Sequence, residues 1–270
     1  MKTYRYVKLD PTGNITVLVT DPVPREEQPG LARKLMEAPE TQCEQVGFLE
    51  VSEDPACRIR LQMMGGEFCG NATMCTAAWV MMNDGTGGET EIPLEVSGAE
   101  GLTVCRIRTD GDGWTGTVRM PEVTGCTPIE LSWGGKGYPL TAVRMDGITH
   151  LILNSRIGSD EEAEAMLKSW AEDCDEDAVG LLQWDEAEQR IRPLVLVKAT
   201  GTAVWENGCG SGSAAIGAWK ALNSPTTVTV TEVNQPGGMI RTEVRTDGKQ
   251  IMEINISGKV RLIREGSITI

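Results

Sequence analysis

The sequence predicts an α+β fold of two pseudo-symmetric halves, each a curved, mostly antiparallel sheet or barrel around a central helix. Short alternating apolar and polar runs, bounded by Gly, Pro, Asp and Asn, recur along most of the chain, as half-buried strands do. Two segments that follow Cys69 and Cys209 have helical spacing but are rich in Ala and Met on most sides, the mark of a helix surrounded by other structure. The stretches leading into them are near copies, Glu67-Phe68-Cys69-Gly70-Asn71-Ala72-Thr73 and Glu206-Asn207-Gly208-Cys209-Gly210-Ser211-Gly212-Ser213.

The elements follow in order. Strands are expected at Tyr4 to Leu9, Ile15 to Val19, Val46 to Val51, Arg58 to Met63, Ile92 to Val96, Leu102 to Arg108 and Thr115 to Met120. A helix follows Pro29-Gly30, and another follows Cys69 with Met74, Ala77, Ala78 and Met81 on its repeat. The second half repeats the plan. Strands at Leu140 to Arg144 and Leu151 to Leu153 precede a helix opened by Ser159 as N-cap, with Asp160, Glu161 and Glu162 in its first turn, and running to about Cys174. Strands at Ile191 to Val197 and Ala203 to Trp205 lead into the Cys209 helix, which ends near Asn223-Ser224-Pro225. Four strands finish the chain, at Val228 to Val233, Met239 to Arg245, Met252 to Ile256 and Val260 to Arg264.

With 270 residues, the chain has room for two domains. The Gly-rich stretch Ser132-Trp133-Gly134-Gly135-Lys136-Gly137 marks the expected boundary: residues 1–130 carry Cys69, residues 131–258 carry Cys209, and 259–270 form a strand returning to the first half. The post-cysteine helices are expected to leave their N-termini free at the interface between halves. A net charge of −14 argues against nucleic acid and anionic lipid as partners, since both select clustered Lys and Arg. No run approaches the roughly 20 apolar residues of a membrane span, and the N-terminus lacks the apolar core of a secretion signal, so a cytoplasmic protein is expected. The 8 cysteines are scattered rather than set out as a disulfide framework, and with His150 the sole histidine there is no zinc-ligand cluster.

The paired segments carry the chemistry. A helix N-terminus exposes unpaired N–H groups and the positive end of the macrodipole, which attracts a carboxylate and favours a thiolate. Glycine after each cysteine permits close backbone approach, and Asn71, Thr73, Ser211 and Ser213 add small polar groups. Two thiols on opposite faces of one carbon suit removal and return of a proton, with donors aimed at the carboxylate as charge develops there. Cys69 and Cys209 are therefore the candidate catalytic pair, and no cofactor or metal is expected.

These motifs resemble the diaminopimelate epimerase superfamily of cofactor-independent amino-acid racemases and epimerases. The resemblance spans nearly the whole chain. Besides the two cysteine segments, Gly13-Asn14, Glu44-Gln45, Gly147 to His150 and Pro236-Gly237-Gly238 are similar to family elements. It implies that Cys69 and Cys209 exchange base and acid roles with the hand of the substrate. It also implies that Asn14, Gln45, Gly70, Asn71, His150, Gly210 and Ser211 hold an amino acid. Where diaminopimelate epimerases carry Glu-Arg, this chain has Thr200 and Gly201. Ile148 and Thr149 replace a family Asn-Pro, and Met74 stands where an Arg is common. Those departures remove the groups that grip the distal end of diaminopimelate, and they point to the single-amino-acid branch that includes histidine racemases, with histidine the first-ranked substrate. Glu206, three residues before Cys209, is a candidate for the substrate ammonium. A homodimer is compatible with the resemblance.

Other readings stand beside these. Cys43, Cys57, Cys105, Cys126 and Cys174 read as core or incidental thiols, Glu67 as a helix-entry charge, and His150 as a packed residue or a substrate contact. Trp79 and Trp205 read as packing. Competing functions are diaminopimelate epimerisation, another carboxylic-acid isomerisation on the same fold, and a dithiol redox sensor.

Overall fold

The computed structural model describes residues 1–199 and 201–270, and these divide into two compact units, Met1–Arg119 with Ser257–Ile270, and Met120–Ile256. Thr200, one of the two positions set against the family Glu-Arg pair, lies outside the described residues.

In the first unit, β1 (Thr3–Pro11) pairs antiparallel with β2 (Thr16–Val19), which runs parallel to β3 (Gln45–Val51). β4 (Ile59–Met63) is antiparallel to β3 and parallel to β5 (Glu89–Val96), and β6 (Leu102–Asp110) and β7 (Gly113–Arg119) extend the sheet as antiparallel neighbours. The last strand, β16 (Ile251–Thr269), lies beside β7 and pairs antiparallel with β1. The order thus returns to its start, and the strands close into a ring. Inside it lies α2 (Gly70–Asp84), against β1, β2, β4, β5, β6 and β7. Ala72, Met74, Cys75, Ala77, Ala78 and Met81 are fully buried, which explains the lack of a polar face on this helix. The amphipathic α1 (Gln28–Glu37) covers the outside, where Leu31, Ala32 and Leu35 pack on Tyr4, Tyr6, Val17, Val46 and Phe48.

The second unit opens with the antiparallel run β8 (Val123–Trp133), β9 (Lys136–Met145) and β10 (Ile148–Leu153). α3 (Asp160–Trp170), with a 3-10 turn at Ala171–Asp173, crosses over to β11 (Ala178–Asp185), which is parallel to β10. The Ser159 hydroxyl accepts from Glu162 N at 3.1 Å, a cap worth about 1 kcal/mol, above a first turn of Asp160, Glu161 and Glu162 that complements the dipole. β12 (Arg190–Val197) pairs with β11 and β13 (Thr202–Trp205), and α4 (Gly210–Leu222) then precedes the hairpin β14 (Val228–Gln235) and β15 (Gly238–Thr246). α4 touches β8, β9 and β10 as well as β14 and β15, so the sheet bends around it. The opposite face of β9 to β12 receives Ala163, Met166, Leu167 and Trp170 of α3.

Four features differ from the sequence expectations. β8 was not expected, because its run, without a fully buried residue, is broken by Gly125 and Pro128 and carries a register shift between Val123 and Gly125. β11 was not expected either: buried on both faces, its Val-Gly-Leu-Leu-Gln-Trp run lacks alternation. Ser257-Gly258 does not break the chain, since β16 passes straight through and Ser257 Oγ bonds Thr117 Oγ1 at 2.8 Å. The glycine-rich boundary also needs correction. Gly134 and Gly135 form the turn of the β8–β9 hairpin, with Trp133 paired to Lys136, so residue 130 falls inside a strand and the compact units divide after Arg119.

Among the described residues no helix is long and apolar enough to cross a membrane, no group of three His, Cys, Asp or Glu could hold a metal ion, and none of the eight cysteines is joined in a disulfide.

Candidate functional site

Both cysteines occupy the same local position, the N-cap of the helix central to their unit. Cys69 is extended (φ −134°, ψ 108°) and its sulfur accepts from Ala72 N at 3.4 Å. Cys209 has φ −104° and ψ 106°, and its sulfur accepts from Gly212 N at 3.2 Å. The hydroxyl four residues on then bonds back in each case: Thr73 Oγ1 donates to the Cys69 carbonyl and Ser213 Oγ to the Cys209 carbonyl, both at 2.8 Å. Neither helix carries an acidic residue in its first turn, so the positive end of each dipole is left for another anion.

Around Cys69, the Gln45 carbonyl oxygen lies 3.1 Å from the sulfur, while its amide nitrogen donates to Thr16 Oγ1 at 2.7 Å. Thr16 in turn donates to the Asn14 carbonyl at 3.0 Å, and the Asn14 side chain donates to Glu44 Oε2 at 3.0 Å. Asn14, Gln45, Gly70 and Asn71 are thus gathered by β1–β3 and the start of α2. The entry to the helix is held by Ser97, whose hydroxyl donates to the Glu67 carbonyl and accepts from Met63 N, both at 2.9 Å. Gly98 makes that approach possible: it has φ +69°, and a Cβ there would collide with the backbone of Glu67 and Phe68.

Around Cys209, the carboxylate of Glu206 is hydrogen-bonded to the sulfur. Burial first, and that charge second, push the Cys209 thiol well above its ordinary value, against smaller opposite effects of Ser211 and the Gly212 amide. Cys209 is therefore a thiol at neutral pH in the absence of ligand. The Ser211 hydroxyl is 3.6 Å from the sulfur and 2.9 Å from His150 Nε2. His150, on β10, is fully buried, and its Nδ1 faces Gly180 of β11, its partner in register. Burial lowers its pKa from 6.5 to about 4, so the ring is neutral and its contact with the site passes through Ser211.

Gln235 and Thr16 were missed from sequence. Gln235 is buried; its carbonyl oxygen accepts from Cys209 N at 2.5 Å and its amide donates to Ser213 Oγ at 2.7 Å, locking the first turn of α4. The signal was its place just before Pro236-Gly237-Gly238, a turn that reaches back as Gly237 N donates to the Asn207 carbonyl at 2.8 Å. Thr16 carried no signal, being one more β-branched residue in a strand.

Each unit thus presents a thiol in a cradle of backbone N–H groups and amide side chains, with one carboxyl group against the second thiol. Comparison with known proteins bears on what such cradles do. A histidine racemase of Fusobacterium nucleatum subsp. nucleatum is 29% identical over 272 residues, covering 98% of this chain and 97% of that protein. A histidine racemase of Staphylococcus aureus strain Mu50 is 28% identical over 267 residues, covering 97% and 96%. Among solved structures, a Bacillus anthracis phenazine biosynthesis protein of the PhzF family superposes with a TM-score of 0.70 over the full length of both chains at 15% identity, a likeness of fold alone. Residues 3–269 match the family described as the histidine racemase CntK N-terminal domain, and the chain belongs to that family.

Proposed function

We propose that the protein racemises free histidine without a cofactor, Cys69 and Cys209 exchanging protons with the two faces of the α-carbon. Family membership over nearly the whole chain supports an isomerase of the amino-acid racemase class. The observation that carries the mechanism is the matched capping of α2 and α4 by thiols, with no acidic residue in the first turn of either helix. On this reading the two halves are structural repeats that each supply one cysteine and one set of N–H donors. The substrate carboxylate takes the place of the missing acidic residues, and the amides strengthen their hold as the α-proton leaves and charge spreads onto it.

Glu206 gives the pair an asymmetry. It is bonded to the Cys209 sulfur, so it can take the thiol proton and leave a thiolate to remove the α-proton, while Cys69 delivers a proton from the other face. For the opposite enantiomer the two sulfurs exchange roles. Asn14, Gln45, Gly70, Asn71, Gly210 and Ser211 line the reacting group, and His150 acts through Ser211. The departures at Met74, Ile148, Thr149 and Gly201 favour a single amino acid over diaminopimelate.

The test is chiral chromatography of single L-amino acids and of diaminopimelate after incubation with the reduced protein. Formation of D-histidine ahead of all other products is expected. Turnover of diaminopimelate alone, or of no amino acid, would overturn the reading.

A further inference from the structure

Each cysteine helix is followed by a strand that comes back parallel to one that precedes it, and the two returns end alike. β5 lies beside β4 at Glu95 and Val96, and the next residue is Ser97. β14 lies beside β12 at Asn234, and the next residue is Gln235. Ser97 and Gln235 are both buried, and both turn back onto the segment that enters the helix. The Ser97 hydroxyl donates at 2.9 Å to the carbonyl of Glu67, two residues before Cys69. The carbonyl two residues before Cys209, that of Asn207, accepts from Gly237 N at 2.8 Å, in the turn that Gln235 opens. Gln235 also holds the cysteine itself. Its oxygen accepts from Cys209 N at 2.5 Å, while its nitrogen lies 2.7 Å from Ser213 Oγ and 3.4 Å from the Cys209 carbonyl oxygen. Cys209 N can only donate, so the sense of the amide is fixed, and one planar group spans the N–H and C=O of a single residue.

An N-cap residue is extended and half outside its helix, so the chain that leads into it helps decide where its Cβ, and with it the sulfur, points. We propose that Ser97 and Gln235 are positioning residues, one for each thiol: the turn after the returning strand clamps the entry segment and so sets the sulfur of Cys69 or Cys209 at the N–H groups of its helix. The inference rests on the two-thiol reading and deepens it. Each proton carrier has its own support inside its own unit, and both supports act through the cysteines rather than on the substrate. Loss of one clamp therefore displaces one thiol and leaves the other in place.

The experiment is alkylation of the reduced, folded protein by iodoacetamide near pH 8.5, followed cysteine by cysteine by peptide mass spectrometry, in the wild type, Ser97→Ala and Gln235→Met. Cys75 and Cys105 report general loosening of the first unit, and Cys126 and Cys174 that of the second. In Ser97→Ala the Cys69 rate should rise roughly fivefold, the change in local opening that follows loss of one buried hydrogen bond, with Cys75, Cys105 and Cys209 as in the wild type. In Gln235→Met the Cys209 rate should rise by at least as much, with Cys69, Cys126 and Cys174 unchanged. Should Gln235→Met fail to fold, Ser213→Ala, which removes the anchor of the amide nitrogen and leaves Gln235 in place, should give the same local rise in smaller degree. In Ser97→Ala and Gln235→Met, kcat for histidine racemisation should fall roughly tenfold with KM within about twofold of the wild type, since a displaced thiol affects the proton transfer more than binding. Rates that rise together across one unit, no change at the supported thiol, or a raised KM with unchanged kcat would overturn the proposal. The thiol rates need no substrate, so a failure of the racemase reading, seen in the wild type, is separate from a failure of this one.

Discussion

His150 Nε2 lies 2.9 Å from the hydroxyl oxygen of Ser211, and that oxygen lies 3.6 Å from the sulfur of Cys209. The chain's only histidine thus reaches the second thiol through one intervening hydroxyl. Nδ1 is buried without a partner among the described residues, so the proton of the neutral ring belongs on Nε2, where it is donated to Ser211 and leaves the serine proton for the sulfur. Ser211→Ala removes this donor, and kcat for racemisation should fall roughly tenfold with a smaller change in KM. Equal kinetics in the variant would contradict the role.

The buried neutral imidazole also links stability to pH. Its folded-state pKa, about 4, is below the ordinary 6.5, so between those values the unfolded chain binds a proton that the folded chain does not. Its contribution is complete above about pH 6.5 and is lost as pH falls towards 4, up to about 3 kcal/mol for a difference of that size. Urea unfolding of the wild type and of His150→Gln across this window should show a steeper loss for the wild type. Parallel curves would place the titration elsewhere.

Gly180 sets the position of that ring. A Cβ there would overlap His150 Nδ1 and Cε1, and the ring has no open space to retreat into. Gly180→Ala should cost about 1–3 kcal/mol by overpacking and should lower activity together with stability. Thermal unfolding at wild-type temperature would show that β10 and β11 yield more readily than their burial implies.

Glu206 holds Cys209 in the thiol form by charge as well as by contact. In Glu206→Gln the charge is gone and burial remains, opposed by Ser211 and the Gly212 amide, so the thiolate absorbance of Cys209 should develop at lower pH than in the wild type. Activity should fall, because the amide cannot take the thiol proton. A titration unchanged in midpoint, together with unchanged KM and kcat, would remove Glu206 from the site.

Much of this was legible from local pattern. α2 and α4 stood out because helical spacing without a polar face has one explanation, burial, and the duplicated cysteine segments marked their N-caps. Strands with one exposed face announced themselves by alternation. β11, covered on both faces, did not, and Gly180 within it looked like a breaker, although its role is to make room for His150. At the site, residues close in sequence to the cysteines are among those singled out, and Glu206, singled out for the substrate ammonium, also lies against the Cys209 sulfur. Gln235 and Thr16 were missed because their parts depend on which strands return beside α4 and α2, a matter of topology.

The most direct test of the two-thiol account is racemisation of L-histidine in deuterium oxide, followed by proton NMR and chiral separation during the first few per cent of conversion. Two opposed thiols predict deuterium at the α-carbon of the D-histidine formed and none in the remaining L-histidine, with formation of D-histidine abolished in Cys69→Ala and in Cys209→Ala. Equal deuterium in substrate and product, or racemisation that persists without Cys209, would contradict it.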